Sequence, residues 1–294
     1  MSAAAPDDAS ARLFVALQYL LPQHLLSRLV YALTRSRVRW LKDGLIGGFV
    51  RHFHPDMREA AQPDPRGYES FNAFFTRALR SDARPADPDP AAVLSPVDGA
   101  VSQLGRLEGS WLVQAKGHAY TLEALLTVQA GSWAEVFRGG SFATLYLAPA
   151  NYHRIHMPLA GTLRAAWYVP GQLFSVNATT AASVPALFAR NERVVCVFAA
   201  GSLAFALVLV GALFVGSMST VWHGEVTPRR PRTPAPLPVD VGDARLSLAR
   251  GAEVARFNMG STVIVLLPPG AGEWRAPLAL GSTLRVGERL GRLR

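Results

Sequence analysis

From Val194 to Trp222 the chain carries no Asp, Glu, Lys or Arg. A stretch of that length is able to cross a bilayer as a helix. If it does not, it must be buried inside the protein. Gly201, Ser202, Gly211, Gly216 and Ser217 interrupt it, and the pieces between them are rich in Val and Phe. Glycine weakens a helix interior and marks turns, whereas β-branched and aromatic residues suit a pleated, buried surface. The segment therefore predicts strands with short turns, near 194–199, 203–210 and 212–216, with a transmembrane helix as the second choice. The same pattern holds from Val93 onward. Short apolar runs such as FATLYLAPA, TLRAAWYVPG and TVIVLLPP alternate with Gly, Pro and Asp turns. That pattern predicts mostly sheet, with helices near 121–137 and 183–190. The Pro-rich basic stretch 226–242 reads as a loop, and GSTLRVGERLGRL as strand, turn and strand.

The first quarter of the chain differs. The opening MSAAAPDDAS is acidic and small where a secretory signal would be basic and then apolar. Residues 11–54 have helical spacing, with a break at Pro22 read as the end of one helix and the start of the next. Leu13, Leu17, Leu20 and Leu21, then Leu25, Leu26, Leu29, Val30 and Leu33, form an apolar stripe. Such a stripe packs on a core or lies on a membrane. Arg35, Arg37, Arg39 and Lys42 follow beside Trp40, with no acid among them, in a chain of formal charge +9. A basic surface attracts nucleic acid or anionic lipid. Its place next to an apolar stripe favours the lipid surface, with a solvated helix end as the alternative. Residues 71–79 predict a short helix capped by Ser70, and SDARPADPDP a linker. The organisation expected is an amphipathic helical region over 1–60 and a sheet-rich core over 61–294. The single cysteine, Cys196, lies in an apolar run. It excludes an internal disulfide and a Cys-based metal site, and reads as a packing residue.

Four places carry candidate chemistry. His153 and His156 in NYHRIHMP suit acid–base work, metal binding or plain packing. Asp98 in SPVDGAVS suits orientation of a histidine, although Asp-Gly is also a strong turn pair. Ser261 follows Gly260 directly ahead of an apolar run, outside any G-x-S-x-G elbow. YVPGQLFSVN, residues 168–177, offers Ser175 and Asn177 to line a pocket, or forms a simple hairpin. Each is explained alone by a turn or by packing. Together, Asp98, His156 and Ser261 make up the residue types of a Ser-His-Asp arrangement, which a serine hydrolase that keeps its chain whole would also use.

Motifs spread along the chain add a resemblance. They include QYLLP (18–22), FNAFFTRALR (71–80), PVDGAVSQLG (96–105), QAKGHAYTLEALL (114–126) and YHRIHMP (152–158). YVPGQLFSVN (168–177), LFARNERVVCVF (187–198), VGALFVGSMSTVW (210–222) and RFNMGSTVI (256–264) complete the series. In this order they resemble the bacterial phosphatidylserine decarboxylases over nearly the whole chain. That family's usual Leu-Gly-Ser-Thr is here Met259-Gly260-Ser261-Thr262, an apolar exchange of similar volume.

The resemblance implies an α+β fold, a largely antiparallel β-sheet catalytic core with N-terminal membrane-associating helices. It implies that Ser261 Oγ attacks the Gly260 carbonyl and turns the amide into an ester. Loss of the Ser261 Cα proton then eliminates the ester, and the resulting dehydroalanine hydrolyses to a pyruvoyl group and ammonia. Chains 1–260 and 261–294 would stay together as a heterodimer, and two such pairs as a homodimer. His156, oriented by Asp98, is the implied base for this step. The pyruvoyl group, the only cofactor implied, forms a Schiff base with phosphatidylserine and accepts the electrons released as CO2 leaves. His153 is the implied general acid, and phosphatidylethanolamine the product. From the 168–177 segment, Phe174, Ser175 and Asn177 are the candidate substrate contacts. No metal and no nucleic acid is expected, and the site of action is the cytoplasmic face of the inner membrane, held peripherally. Two rivals stand beside this reading: a pyruvoyl enzyme acting on a soluble amino acid, and a non-enzymatic lipid-binding protein.

Overall fold

Thr262–Leu267, the apolar run after Gly260-Ser261, is buried at every position. Unbroken TVIVLL leaves no polar face for solvent, so this strand is stable only with neighbours on both edges and layers on both faces. In the computed structural model, which describes residues 9–127, 132–214, 217–227, 233–241 and 244–294, it pairs antiparallel with Ser141–Tyr146 on one edge and Leu203–Val210 on the other. Among the described residues it is central to a nine-stranded sheet that also holds Gly99–Arg106, Gly161–Val169 and Arg193–Ala200. Every pairing within that sheet is antiparallel. A four-stranded sheet runs Gly224–Val226, Met218–Thr220, Glu253–Phe257, Arg154–His156. Helices at one end and antiparallel sheets elsewhere make the fold α+β.

The uncharged stretch resolves into strands Arg193–Ala200 and Leu203–Val210. No strand forms at 212–214; the next is Met218–Thr220, and 215–216 lie outside the described residues. Among the described residues no helix is long and apolar enough to cross a membrane. The helix expected near 121–137 is two short ones, Leu122–Leu126 and Trp133–Phe137, with 128–131 outside the described residues. That expected near 183–190 is the single turn Leu187–Arg190. Of the stretch 226–242 read as a loop, residues 228–232 and 242 also fall outside them, and the described part holds two short strands, Ala235–Pro236 paired with Gly161–Val169 and Asp240–Val241. Cys196 is buried, and burial pushes its thiol pKa up.

Helix α1 (Ala9–Leu20) and α2 (Gln23–Thr34) break at Pro22 as the sequence predicts. Helices α3 (Arg39–Phe53) and α4 (Phe71–Phe75) follow, the latter capped by Ser70 Oγ accepting from the Ala73 N–H at 3.1 Å. Ile46, Phe71, Phe74 and Phe75 form a small core between α3 and α4. On α1 and α2 the usual sidedness is inverted. Gln18, Gln23, Ser27 and Thr34 are buried, while Leu13, Leu17, Leu20, Leu25, Leu29 and Leu33 are exposed, Leu20 at 82%. The buried glutamines satisfy loop backbone: Gln18 Oε1 accepts from Ser175 N at 2.8 Å and Gln23 Oε1 from Leu173 N at 2.7 Å. The polar side faces inward because it has backbone partners there. A row of leucines is left outside, and a contiguous apolar face of this kind marks an interaction surface.

The basic cluster is less available than its sequence suggests. Arg35 pairs with Glu225, Arg37 with Glu69 at 2.9 Å and Lys42 with Asp43 at 2.7 Å. Asp43 is the next residue in sequence, whereas Glu225 and Glu69 are acids that only the fold brings to the cluster.

Candidate functional site

The Gly260–Ser261 bond lies on the short link between Glu253–Phe257 in the four-stranded sheet and Thr262–Leu267 in the nine-stranded one. The Phe257 N–H donates to His153 O at 3.0 Å, and the Ser261 carbonyl accepts from Leu147 N at 2.9 Å. The bond is thus held where two sheets meet. Ser261 is 1% exposed, and its Oγ has no hydrogen-bond partner among the described residues. A buried hydroxyl without a partner is costly, and such orphans concentrate at reacting centres.

His153 is fully buried. Its Nδ1 lies 2.8 Å from Asn151 O. A carbonyl only accepts, so Nδ1 carries the proton and Nε2 is the bare, basic nitrogen. Nε2 has no partner among the described residues. It faces Gly260: a Cβ placed on that glycine would stand 3.3 Å from it. Glycine allows this close approach, since a side chain would press on the imidazole. Burial holds the His153 pKa down to about 3; the nearby Arg77 charge lowers it as well, against the Asn151 hydrogen bond. His153 therefore stays neutral across the working pH range. The Phe75 ring lies against it with centroids 4.1 Å apart.

His156 is placed differently. Its Nδ1 is 2.7 Å from Gly251 O and its Nε2 is 3.0 Å from the Tyr152 hydroxyl. By the same logic Nδ1 is protonated, and the Tyr152 O–H donates to Nε2. Burial again holds its pKa down. Asp98 is not hydrogen-bonded to either imidazole among the described residues. Its carboxylate accepts from Arg84, Nε at 2.9 Å, and from the Val286 N–H at 2.8 Å. The direct Asp98–His156 contact expected from the sequence is absent: an adjacent arginine and a free backbone N–H are stronger claims on that carboxylate.

A cavity of about 350 Å³ opens on Ser261. Gly260, Met259, Ser175, Val176 and Phe214 line it, together with Phe14 of α1 and Phe49 and Phe53 of α3. The helical region therefore supplies part of its wall. Of the three expected substrate contacts, Ser175 lines this cavity. Phe174 is buried edge-on against Tyr19, centroids 4.8 Å apart, and Asn177 caps Ala178–Ala181 by accepting from Thr180 N at 2.9 Å. Neither of these two lines it. Tyr146 separates it from a second, polar cavity of about 530 Å³ that Asp98, Arg84, Arg77 and Tyr152 line. Among the described residues no group of three or more His, Cys, Asp or Glu side chains is placed to hold a metal ion. Sequence reasoning passed over Phe14, Phe49, Phe53, Gln18 and Gln23. The glutamines left one signal, polar residues at the inner spacing of an otherwise apolar helix.

Fold and site together define an α+β protein with a buried serine–imidazole centre opening on an apolar cavity. A family model described as phosphatidylserine decarboxylase matches residues 71–292, and a second, described as PSD, matches residues 13–54. The chain is 53% identical over 280 residues to a phosphatidylserine decarboxylase proenzyme of Pseudomonas fluorescens, covering 95% of this chain and 97% of that one. It is 52% identical to the proenzyme of Ectopseudomonas mendocina, covering 95% and 98%, and 53% identical to that of Pseudomonas aeruginosa, covering 95% and 96%. The chain belongs to the phosphatidylserine decarboxylase family.

Proposed function

We propose that this chain is a proenzyme that cuts itself between Gly260 and Ser261 and then decarboxylates phosphatidylserine to phosphatidylethanolamine and CO2. The observation that carries this is the buried Ser261 hydroxyl without a partner, directly after a glycine that faces the bare Nε2 of His153, at the mouth of an apolar cavity. These residues fit a pyruvoyl group made from Ser261. The position is shielded from water, glycine leaves room on its N-terminal side, and a basic nitrogen is at hand. When present, the group supplies an electron sink for the electrons that CO2 leaves behind.

The protein's own residues do the rest. Ser261 supplies the nucleophilic oxygen, and Gly260 the carbonyl it attacks. His156 is the base for that step, its Nε2 holding the Tyr152 hydroxyl in the resting site. Asp98 acts as a positioning residue: through Val286 it anchors the segment that becomes the short chain. His153 Nε2 accepts a hydrogen bond from the incoming amine and relays a proton to the carbon that has lost CO2, staying neutral in the resting site. The apolar cavity excludes water during that transfer. The short chain 261–294 stays bound because its first strand is paired on both edges.

His156→Ala and Asp98→Asn are expected to slow appearance of the two chains at least about tenfold, a tenfold change corresponding to about 1.4 kcal/mol. Gel analysis of freshly made protein checks this, and conversion at the parental rate in both would remove their assigned roles.

The substrate's acyl chains lie in a bilayer. The exposed leucines of α1 and α2, with Trp40 at 77% exposure, form the face suited to meet it. Because three of the four basic side chains over 35–42 are paired, apolar contact is expected to contribute more than charge. Leu20→Glu with Leu25→Glu and Leu29→Glu should weaken flotation with anionic vesicles at least about tenfold, while 0.5 M salt should weaken it much less. The reverse order would place binding in the charges. The test of the function itself is release of CO2 from phosphatidylserine vesicles by protein whose short chain starts at residue 261 with a ketone.

A further inference from the structure

Asn258 stands two residues ahead of the Gly260–Ser261 bond and is 4% exposed. Its carboxamide Nδ2 donates to Ser217 Oγ at 2.7 Å, with Ser219 Oγ at 3.2 Å and Glu225 Oε1 at 3.3 Å. Its backbone carbonyl accepts from Asn72 Nδ2 at 2.8 Å, and its N–H donates to Ser217 O at 3.3 Å. Glu225 in turn accepts from Arg35 and, at 3.1 Å, from the Tyr31 hydroxyl. Arg35 lies 3.6 Å over the Tyr31 ring. Tyr31 is on α2, and Arg35 ends it. A continuous polar chain therefore joins the helix with the exposed leucines to the segment that is cut.

We propose that Asn258 is a positioning residue for self-cleavage, braced by Ser217 and Glu225 and, through them, by Arg35 and Tyr31 of α2. The proposal rests on the reading that Gly260–Ser261 is the bond broken. The segment is fixed at Asn258 by five hydrogen bonds and at Ser261 by Leu147 N. Only Met259 and Gly260 lie between. Two residues between fixed points have little freedom, so the position of Asn258 sets where the Gly260 carbonyl stands relative to Ser261 Oγ. Attack within a preset geometry is fast, and a displacement of about 1 Å costs on the order of a hundredfold. Ser217 and Glu225 do not touch the reacting atoms. Their effect passes through the Asn258 carboxamide, whose two N–H groups are shared among three acceptors.

The test follows conversion of freshly purified full-length protein to chains 1–260 and 261–294 by intact mass. A parent protein that never yields these chains overturns the self-cleavage reading, and the brace with it. In a parent that converts, Asn258→Ala is expected to lengthen the half-time at least about tenfold. Glu225→Ala should lengthen it severalfold, and Glu225→Gln, which keeps an acceptor for Asn258, should restore most of the rate. The double variant Asn258→Ala/Glu225→Ala should be no slower than Asn258→Ala by more than about twofold, because one link has already been cut. Multiplying effects would mean two unrelated structural defects and would overturn the brace, as would conversion of Asn258→Ala at the parental rate. If Asn258→Ala does not fold, Arg35→Ala carries the same test. Conversion at least about twofold slower supports the brace, and an unchanged rate overturns it.

Discussion

Ser261→Ala is expected to yield a single intact chain with no decarboxylase activity. The alanine lacks the oxygen that attacks the Gly260 carbonyl, so no ester forms and no ketone follows. The loss should be complete to the detection limit, because both steps depend on that one oxygen. Folding should be spared. Ser261 Oγ makes no hydrogen bond among the described residues, so removing it leaves no partner unsatisfied. The alanine chain should therefore melt at or slightly above the temperature of the uncut parent. Intact mass after denaturation, with a melting curve, checks both. Fragments 1–260 and 261–294 from the alanine protein would refute the assignment of Ser261. A single, uncut but active parent chain would point instead to a serine hydrolase.

His153→Ala is the second large effect, and it should fall on a different step. The variant is expected to convert to two chains while turnover drops by about two to four orders of magnitude, the usual contribution of a positioned acid–base group. Retention of full decarboxylation in the converted protein would remove its role. A stability measurement gives an independent sign. His153 has a folded pKa near 3, well below the ordinary histidine value of 6.5. The unfolded chain therefore binds a proton that the folded chain does not. That contribution is fully present above about pH 6.5 and is lost as pH falls through that value toward 3, by about 1.4 kcal/mol per unit. His153→Ala should flatten the acid side of the stability profile. An unchanged acid limb would mean that the imidazole is not held neutral in the fold.

These two residues differ in how far the sequence could identify them. Ser261 was legible because the motif around it belongs to a recognisable series; alone, an open Gly-Ser pair ahead of TVIVLL reads as a turn. His153 was legible as a residue but not in its contacts. The sequence places two histidines three apart and gives them equal standing. The strand Arg154–His156 separates them by turning one toward the Gly260 link and leaving the other to Gly251 and Tyr152. Asp98 shows the same limit more sharply. Its partner was expected to be His156, and is instead Arg84, fourteen residues earlier in a stretch that reads as a linker. Ser175 reached the cavity, whereas Phe174 and Asn177, its near neighbours, went to packing and capping. Adjacent side chains in an irregular loop need not share a direction, and no periodicity predicts which of them faces a site.

The sequence alone determined the periodic features of this protein. Apolar runs broken by glycine dictated buried antiparallel strands, Pro22 divided the first two helices, and Ser70 capped α4. All of these are local, because a backbone preference or a strand's need for two covered faces is written into neighbouring residues. The tertiary structure alone decided which side of α1 and α2 faces outward, since the 171–177 loop supplies backbone N–H groups for the Gln18 and Gln23 side-chain oxygens to accept from. It also decided that acids from distant segments, Glu225 and Glu69, pair Arg35 and Arg37, and that Phe14, Phe49 and Phe53 wall the cavity at Ser261. Those outcomes rest on contacts between residues far apart in the chain, and a pairing of that kind leaves no mark in the local pattern of either partner.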